Sequence, residues 1–214
     1  MSLLMRSPQE CASWMWDLEE FAPPGLESAL ATAARMVEVL RGQELLEPGS
    51  LKWSWFVFGV GGIGVNTEIS LLGRALDDED LSGHILRCRP EGFPDAEIGD
   101  IFVSGTGVWL DARGQRHKEH GLVELSVSPD AIGLSAEVAV YHDIWGDFDF
   151  SGRPHPEVKE RNAPRLAAAL QALDSMLAVP AEPGEQTYFG RAEGHGLQVP
   201  DVIDGLGPDL TDLM

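Results

Sequence analysis

A chain of 214 residues that is 43% hydrophobic can bury a core and suits a single domain, which argues against a disordered protein. Its 35 acidic residues against 15 lysines and arginines give a net charge of −20, which argues against binding to nucleic acid or to an anionic membrane, because phosphate groups would be repelled. Cys11 and Cys88 form no CxxC pair, and no apolar stretch resembles a signal peptide or could cross a bilayer, so we expect a cytoplasmic protein without a disulfide scaffold.

The first predicted element is a helix that begins at Ser7. The sequence SPQE at residues 7–10 places a serine cap before a proline at the first helical position, and the glutamate completes a capping box. Apolar residues then recur at helical spacing, at Cys11, Met15 and Leu18. Trp14 and Trp16 would point in different directions on such a helix, so they could not both face the core.

A second helix is predicted over residues 26–40, after a break at the PPG sequence of residues 23–25. One stripe of this helix is apolar and contains Leu26, Leu30, Ala33, Val37 and Leu40. Gly42 marks its end. The aromatic and β-branched sequence KWSWFVFGV at residues 52–60 then predicts a strand.

The glycine-rich segment at residues 59–64 has two interpretations. It matches GxGxxG after a strand, as in a dinucleotide-binding loop. A further strand at 84–88 would then lie near the position of the acidic residue that binds the ribose of the dinucleotide. Two preceding helices and the β segments that follow do not fit such a fold. We therefore favour a hairpin between strands at 53–60 and 63–71, with Gly61 and Gly62 as a two-residue turn of positive φ. Residues 65–76 fit either a strand or a helix.

Short β segments dominate the chain from Ile101 onward. Residues 106–112, 120–128 and 132–141 are separated by short turns, and the last two segments alternate apolar and polar residues, which predicts an antiparallel meander. A last helix is predicted to begin at Asn162-Ala163-Pro164 and to close at Pro180. The predicted fold class is therefore α+β, with an antiparallel sheet packed against about three helices.

Residues 1–180 are predicted to form a single domain. Residues 181–214 are rich in glycine and proline and contain seven acidic residues and one basic residue, Arg191. This composition predicts a loosely ordered acidic tail, which either extends from the domain or packs on it.

The densest group of polar and aromatic residues is YHDIWGDFDFSGRPHPE at residues 141–157. Its candidate binding residues are His142, Asp143, Trp145, Asp147, Asp149 and His155. Asp147 and Asp149 match the opening of an EF-hand loop, and they would be the ligands if a metal bound here. The twelfth position is Val158 instead of glutamate, so we favour no metal and no cofactor. The loop is then either a recognition surface or an acidic connection whose aromatic residues return to the core.

Other candidate features are weaker. His117 and His120 lack a third metal ligand nearby. The six tryptophans either pack in the core or present an exposed ring to a protein interface or to the wall of a small-molecule cleft. The motifs GxSxG, GxxxxGK[ST] and HExxH do not occur, which leaves enzymatic activity open but favours binding without catalysis.

The charge and the tryptophans favour a protein-binding module, an immunity-type or inhibitor protein for a basic partner such as a nuclease toxin. Its carboxylates would mimic the phosphates of the partner's substrate. The alternative is a small-molecule or metal-dependent enzyme, or a ligand-binding protein, that uses the 141–157 loop. Metal ions should raise the thermal stability in the second case, whereas association should be faster at low salt in the first.

Overall fold

The described residues form an eight-stranded antiparallel sheet and three α-helices, so the predicted α+β class is confirmed. The computed structural model describes residues 4–130, 132–199 and 202–214. Within these residues, no helix is both long enough and apolar enough to span a membrane.

The strands of the main sheet are β1 (Ala12–Asp17), β2 (Glu47–Val57), β3 (Gly61–Ser70), β4 (Glu97–Leu110), β5 (Arg116–His120), β6 (Glu124–Ser128), β7 (Ser135–Val140) and β8 (Glu182–Pro183). A separate hairpin contains β9 (Arg191–Glu193) and β10 (Gly196–Gln198). The helices are α1 (Leu26–Gly42), α2 (Glu79–Arg87) and α3 (Pro156–Leu177). The strand order is β3-β2-β4-β6-β7-β1-β8, and β5 pairs with β4 beside this path.

The N-terminal segment forms a strand, and the helix predicted from Ser7 is wrong. β1 lies inside the sheet, hydrogen-bonded to β7 on one side and to β8 on the other. Trp14 and Trp16 therefore share one face of the strand, where both are buried. The Ser7 hydroxyl caps no helix and donates to the Tyr141 carbonyl at 2.9 Å. Pairing with β7 and burial of two indole rings outweigh the local signal for a helix start.

The helix predicted over 26–40 is confirmed as α1. Residues 84–88 do not form a strand, because all but the last belong to α2, whose first turn is capped by the Asp78 carboxylate accepting from the Asp80 N–H at 3.0 Å. The last helix begins at Pro156 instead of Asn162, and Pro164 lies inside it.

The start predicted at Asn162 is wrong because its side chain bonds to the sheet. Asn162 is fully buried. Its Oδ1 accepts from the Leu110 N–H at 2.9 Å, and its Nδ2 donates to the Leu110 carbonyl at 2.8 Å. The amide thus pairs with the end of β4 much as a neighbouring strand would, and it fixes α3 against the sheet.

The glycine-rich segment lies in a β-hairpin, as predicted, but the turn predicted at Gly61 and Gly62 is wrong, because both residues belong to a strand. β2 ends at Val57 and β3 begins at Gly61, so residues 58–60 make the connection. Gly59 and Gly61 have φ of 76° and 97°, whereas Gly62 is not in the left-handed region. A strand follows the segment as far as Ser70, so the dinucleotide-binding interpretation is wrong.

The face of the sheet that packs against the helices carries the core. One row of cross-strand partners runs from Trp16 through Ala136, Val127 and Ile101 to Trp53. All six tryptophans are at most 5% exposed, which confirms core packing and excludes an exposed indole as an interface residue.

The chain after residue 180 adds β8 to the sheet and covers part of the core. Phe189 and Leu210 are buried, and the Trp14 indole N–H donates to the Gly194 carbonyl at 2.7 Å. Residues 200 and 201 of this segment lie outside the described residues. The division into a domain of residues 1–180 and a tail of residues 181–214 stays a prediction.

Asp174 of α3 connects three parts of the fold. Its Oδ1 accepts from the Trp16 indole N–H at 2.8 Å and from the Ala181 N–H at 2.9 Å. Its Oδ2 lies 2.7 Å from Nε2 of His195, in the turn between β9 and β10. One carboxylate therefore joins α3 to β1, to the start of β8 and to the β9–β10 hairpin.

Replacing Asp174 by alanine should lower the free energy of unfolding by about 2–3 kcal/mol, because the buried indole N–H of Trp16 loses its acceptor. Urea unfolding followed by tryptophan fluorescence measures this change. Ser175→Ala is the matched control, since its hydroxyl only bonds back to the Gln171 carbonyl on an exposed part of α3. Its effect should stay within about 0.5 kcal/mol. An equal decrease of the unfolding free energy in the two variants would contradict the role of Asp174.

Gly105→Ala should destabilise the protein by about 3 kcal/mol or more, because a Cβ at this position would overlap the carbonyl of Glu47 on the neighbouring β2. Gly62→Ala is the control, since no heavy atom lies within 4 Å of its Cβ position and its φ is not positive. This corrects the prediction that Gly62 is a turn position of positive φ. Thermal unfolding compares the two variants, and similar melting temperatures would contradict the close approach of β2 and β4.

Candidate functional site

The predicted binding loop starts where β7 ends and leads into α3. A short 3₁₀ turn over Asp143–Trp145 follows β7. His142, Asp143 and Trp145 are each at most 3% exposed. This half of the loop is therefore folded onto the core, and its polar side chains are buried with it.

Asp147 and Asp149 are held by contacts within the loop and with α3. The Asp147 carboxylate accepts from Nζ of Lys159 at 2.7 Å. Oδ1 of Asp149 accepts from the N–H groups of Ser151, at 2.9 Å, and Arg153, at 3.0 Å, and so closes a tight turn. Asp149 thus stabilises the backbone turn of the loop, whereas Asp147 lies at the surface beside the ammonium group of Lys159.

The imidazole of His155 packs back on the loop, with Nε2 at 3.1 Å from the Gly146 carbonyl. Burial lowers its pKa. Of the six candidate residues, His142, Asp143 and Trp145 are therefore buried. The other three, Asp147, Asp149 and His155, have contacts within the loop or with α3. In the part of the chain that the structure describes, no three histidine, cysteine or acidic side chains are arranged to hold a metal ion.

The histidines predicted as a weak metal signal lie on β5. The His117 ring stacks on Trp109 with 4.7 Å between the centroids, and its Nε2 lies 3.0 Å from the Asp111 carboxylate. His117 therefore contributes to the packing of the sheet at this edge.

A cavity of about 10 Å³ lies beneath the loop. It is lined by Cys11, His142 and Asp143, and by apolar side chains that include Phe189 and Leu210. Its volume suits about one water molecule. Sequence reasoning missed Cys11, because it reaches the loop only through the pairing of β1 with β7.

Burial raises the pKa of the Asp143 carboxyl to about 7. The N–H of Met5, which donates to Oδ1 at 3.3 Å, opposes this rise, and the negative charge of Asp149 adds to it. Oδ2 has no hydrogen-bond partner among the described residues. The folded protein therefore holds the proton of this carboxyl to a higher pH than an exposed aspartate does.

Burial lowers the pKa of His142 to about 4, and the positive charge of Arg6 lowers it further. A backbone group of Leu122 partly offsets the shift, although neither ring nitrogen forms a hydrogen bond of normal geometry within the described residues. Burial also raises the pKa of the Cys11 thiol to about 12. A thiol that resists ionisation, beside an imidazole that does not bond to it, is not an activated nucleophile.

A second concave region, the Glu10 groove, lies beside the start of β1 and the end of β7. It has a volume of about 800 Å³ and is lined by residues 8–10, Tyr141 and residues 185–188. The Thr187 hydroxyl donates to the Glu10 carbonyl at 2.6 Å and holds one wall in place. The lining includes two glutamates and neither lysine nor arginine.

The Glu10 carboxyl lies among other negative charges. Partial burial raises its pKa, and the charge of Glu137 adds to the rise, which the Ser13 side chain opposes. Glu124 and Glu185 raise it further. These four glutamates come from distant parts of the chain and become neighbours through the strand order β6-β7-β1-β8, so no sequence motif could have revealed them.

Comparisons with known proteins found no matching family model, no matching curated protein and no matching solved structure. The function is therefore inferred from the geometry and chemistry of the chain itself.

Asp143 and His142 should give the stability opposite dependences on pH. The folded protein binds the Asp143 proton more tightly than the unfolded chain, whose pKa is 3.8, so this group lowers stability as pH rises from about 4 to 7. The folded protein binds the His142 proton less tightly than the unfolded chain, whose pKa is 6.5, so this group lowers stability as pH falls from 6.5 to about 4. The two effects oppose each other in their common range.

Urea unfolding of variants between pH 4 and 8 separates the two groups. The stability of Asp143→Asn relative to the unmodified protein should increase with pH, by up to about 1.4 kcal/mol per pH unit. That of His142→Gln should increase as pH falls below 6.5. Differences that do not change with pH would show that neither group titrates abnormally in the folded state.

Proposed function

We propose that this chain is an acidic protein-binding module for a basic partner, of the immunity or inhibitor type. The supporting observation is the distribution of charge over the sheet. β6, β7, β1 and β8 are neighbours, and their sequences contain neither lysine nor arginine. Their acidic residues are Asp17, Glu124, Glu137 and Glu182. In this half of the sheet, every charged residue of the strands is therefore acidic.

Within the described residues these carboxylates form no ion pair, although the Arg6 guanidinium lies over the ring of Tyr141, whose hydroxyl donates to Glu124. The ion pairs formed by lysine and arginine lie elsewhere, at Arg41 with Glu38 and Glu47, Arg74 with Asp78, Arg116 with Glu44, and Lys159 with Asp147. None of the ion pairs among the described residues includes Glu10, Glu124, Glu137, Glu182 or Glu185. Partial burial raises the pKa of Glu10 and the charges of neighbouring glutamates add to the rise; a cation from another molecule would offset that repulsion.

The mechanism follows from these charges. A basic protein would be steered towards the acidic half of the sheet from a distance and held there by charge-assisted hydrogen bonds. If that protein acts on nucleic acid, the carboxylates would take the places of backbone phosphates and exclude the substrate by occlusion. A nuclease toxin is a partner of this chemistry.

The alternative, an enzyme or ligand-binding protein that uses the 141–157 loop, has less support. The cavity beneath the loop measures about 10 Å³, whereas small-molecule sites enclose about 300 Å³ or more. Asp147 is paired with Lys159, and Asp149 closes a turn. A recognition role for the exposed part of this loop stays a prediction.

The binding partner should be a basic protein whose association depends on salt. A pull-down from the source organism followed by mass spectrometry would supply the partner, and binding of the purified pair would then be measured at two salt concentrations. Between about 50 and 300 mM salt, the association rate constant should fall about tenfold or more, while the dissociation rate should change less. A neutral or acidic partner, or an association rate independent of salt, would contradict the proposal.

The double variant Asp147→Asn with Asp149→Asn tests the loop in the same assay. Recognition through the loop predicts slower association of this variant. An unchanged association rate would exclude the loop from the binding surface while leaving the module's function intact.

A further inference from the structure

The main sheet has one face that α1 and α3 cover. On the opposite face, called the open face below, Met15 is exposed, whereas Ser13 and Ala139, which pair across β1 and β7, are buried. α1 packs against β2 and β6, and α3 packs against β4, on the face that carries the buried tryptophans. Within the described residues, no helix lies on the opposite face. Much of the open face is flat, because many of its side chains are short. These are the serines Ser50, Ser54, Ser104, Ser126, Ser128 and Ser135.

One row of cross-strand partners shows how charge is distributed across the open face. In order from β8 to β3, its members are Glu182, Met15, Glu137, Ser126, Phe102, Lys52 and Glu68. At the β3 end, Lys52 lies opposite Glu68, so the two charges offset each other. At the β8 end, Met15 lies between two glutamates and is 46% exposed.

The acidic end of this row continues into the Glu10 groove. Glu124 lies in the next row, and its carboxylate accepts from the Tyr141 hydroxyl at 3.2 Å. Tyr141 in turn lines the groove. An exposed methionine, a tyrosine and three carboxylates thus lie close together and form the acidic sheet face, which consists of Met15, Glu124, Glu137, Tyr141 and Glu182. Arg6 lies at its edge, with Cζ 5.1 Å from the centroid of the Tyr141 ring.

We propose that the acidic sheet face is the docking surface for an arginine- or lysine-bearing segment of the basic protein partner, an inference that rests on the proposed function. The methylene groups of the cationic side chain would pack on Met15 while its charged end reaches Glu137 or Glu182. The flat, serine-rich remainder of the open face leaves room for the segment to cross the sheet. Charge complementarity selects this occupant over a second copy of the chain, which would bring carboxylates against carboxylates.

A methyl-labelled titration locates the surface. The probe is a synthetic arginine–serine repeat peptide of about 12 residues, added at low salt to protein with ¹³C-labelled methionine methyl groups. The Met15 signal should shift, whereas the signals of Met36, which is buried in α1, and Met176, in α3, should not.

Two triple variants with equal charge provide the control. Glu124→Gln/Glu137→Gln/Glu182→Gln should weaken peptide binding about tenfold or more. Asp77→Asn/Glu91→Gln/Asp95→Asn removes three charges from exposed turns beside α2 and should weaken it less than about twofold. Circular dichroism and melting temperatures check that both variants are folded.

The outcomes distinguish the docking surface from the function. A Met15 shift together with a selective loss in the first variant supports the acidic sheet face. If the peptide binds, the Met15 signal does not shift and both variants lose the same affinity for the peptide, the docking surface is overturned. The proposed function would then still stand. No binding at low salt would overturn both. A Met15 signal that shifts with protein concentration alone would show that a second copy occupies the face and would also overturn the proposal.

Discussion

The pairing of β1 with β7 is the interaction on which the rest of the structure depends. It buries Trp14 and Trp16 on the covered face and leaves Met15 between them on the open face. It brings Cys11 to the cavity beneath the 141–157 loop and Glu10 to the groove beside Tyr141. Because an antiparallel register admits one set of neighbours, a shift of one residue would exchange the buried indoles for the exposed methionine. The same ladder therefore determines both the core and the acidic surface.

Charge and stability act against each other in this fold. Neighbouring carboxylates repel each other, and this repulsion adds to partial burial in raising the pKa of Glu10. A fold that carries such a surface needs other sources of stability. The large core with six buried tryptophans and the bonds of Asp174 and Asn162 between helix and sheet are sources of that kind. Uncompensated negative charge is what a basic partner would recognise, so the arrangement is consistent with binding.

The buried polar residues of the loop differ from those elsewhere in the core. Asn162 forms its hydrogen bonds with the backbone and stabilises the contact between α3 and β4. His142 and Asp143 are buried with polar atoms that lack partners among the described residues, so each is driven towards its neutral form. We therefore expect the stability of the folded protein to depend on pH through these two groups.

The sequence by itself determined the elements whose patterns are local. The apolar stripe of α1, the hairpin of β2 and β3, and the antiparallel strands after Ile101 were predicted because helical and alternating periodicities can be read over about ten residues. Tertiary structure alone decided β1, the start of α3 and both concave regions. At Ser7 a capping signal competes with the alternation around Trp14, and only the available edge of β7 favours the strand. The glutamates around Glu10 are separated by long stretches of chain and meet through strand order, which no local pattern contains.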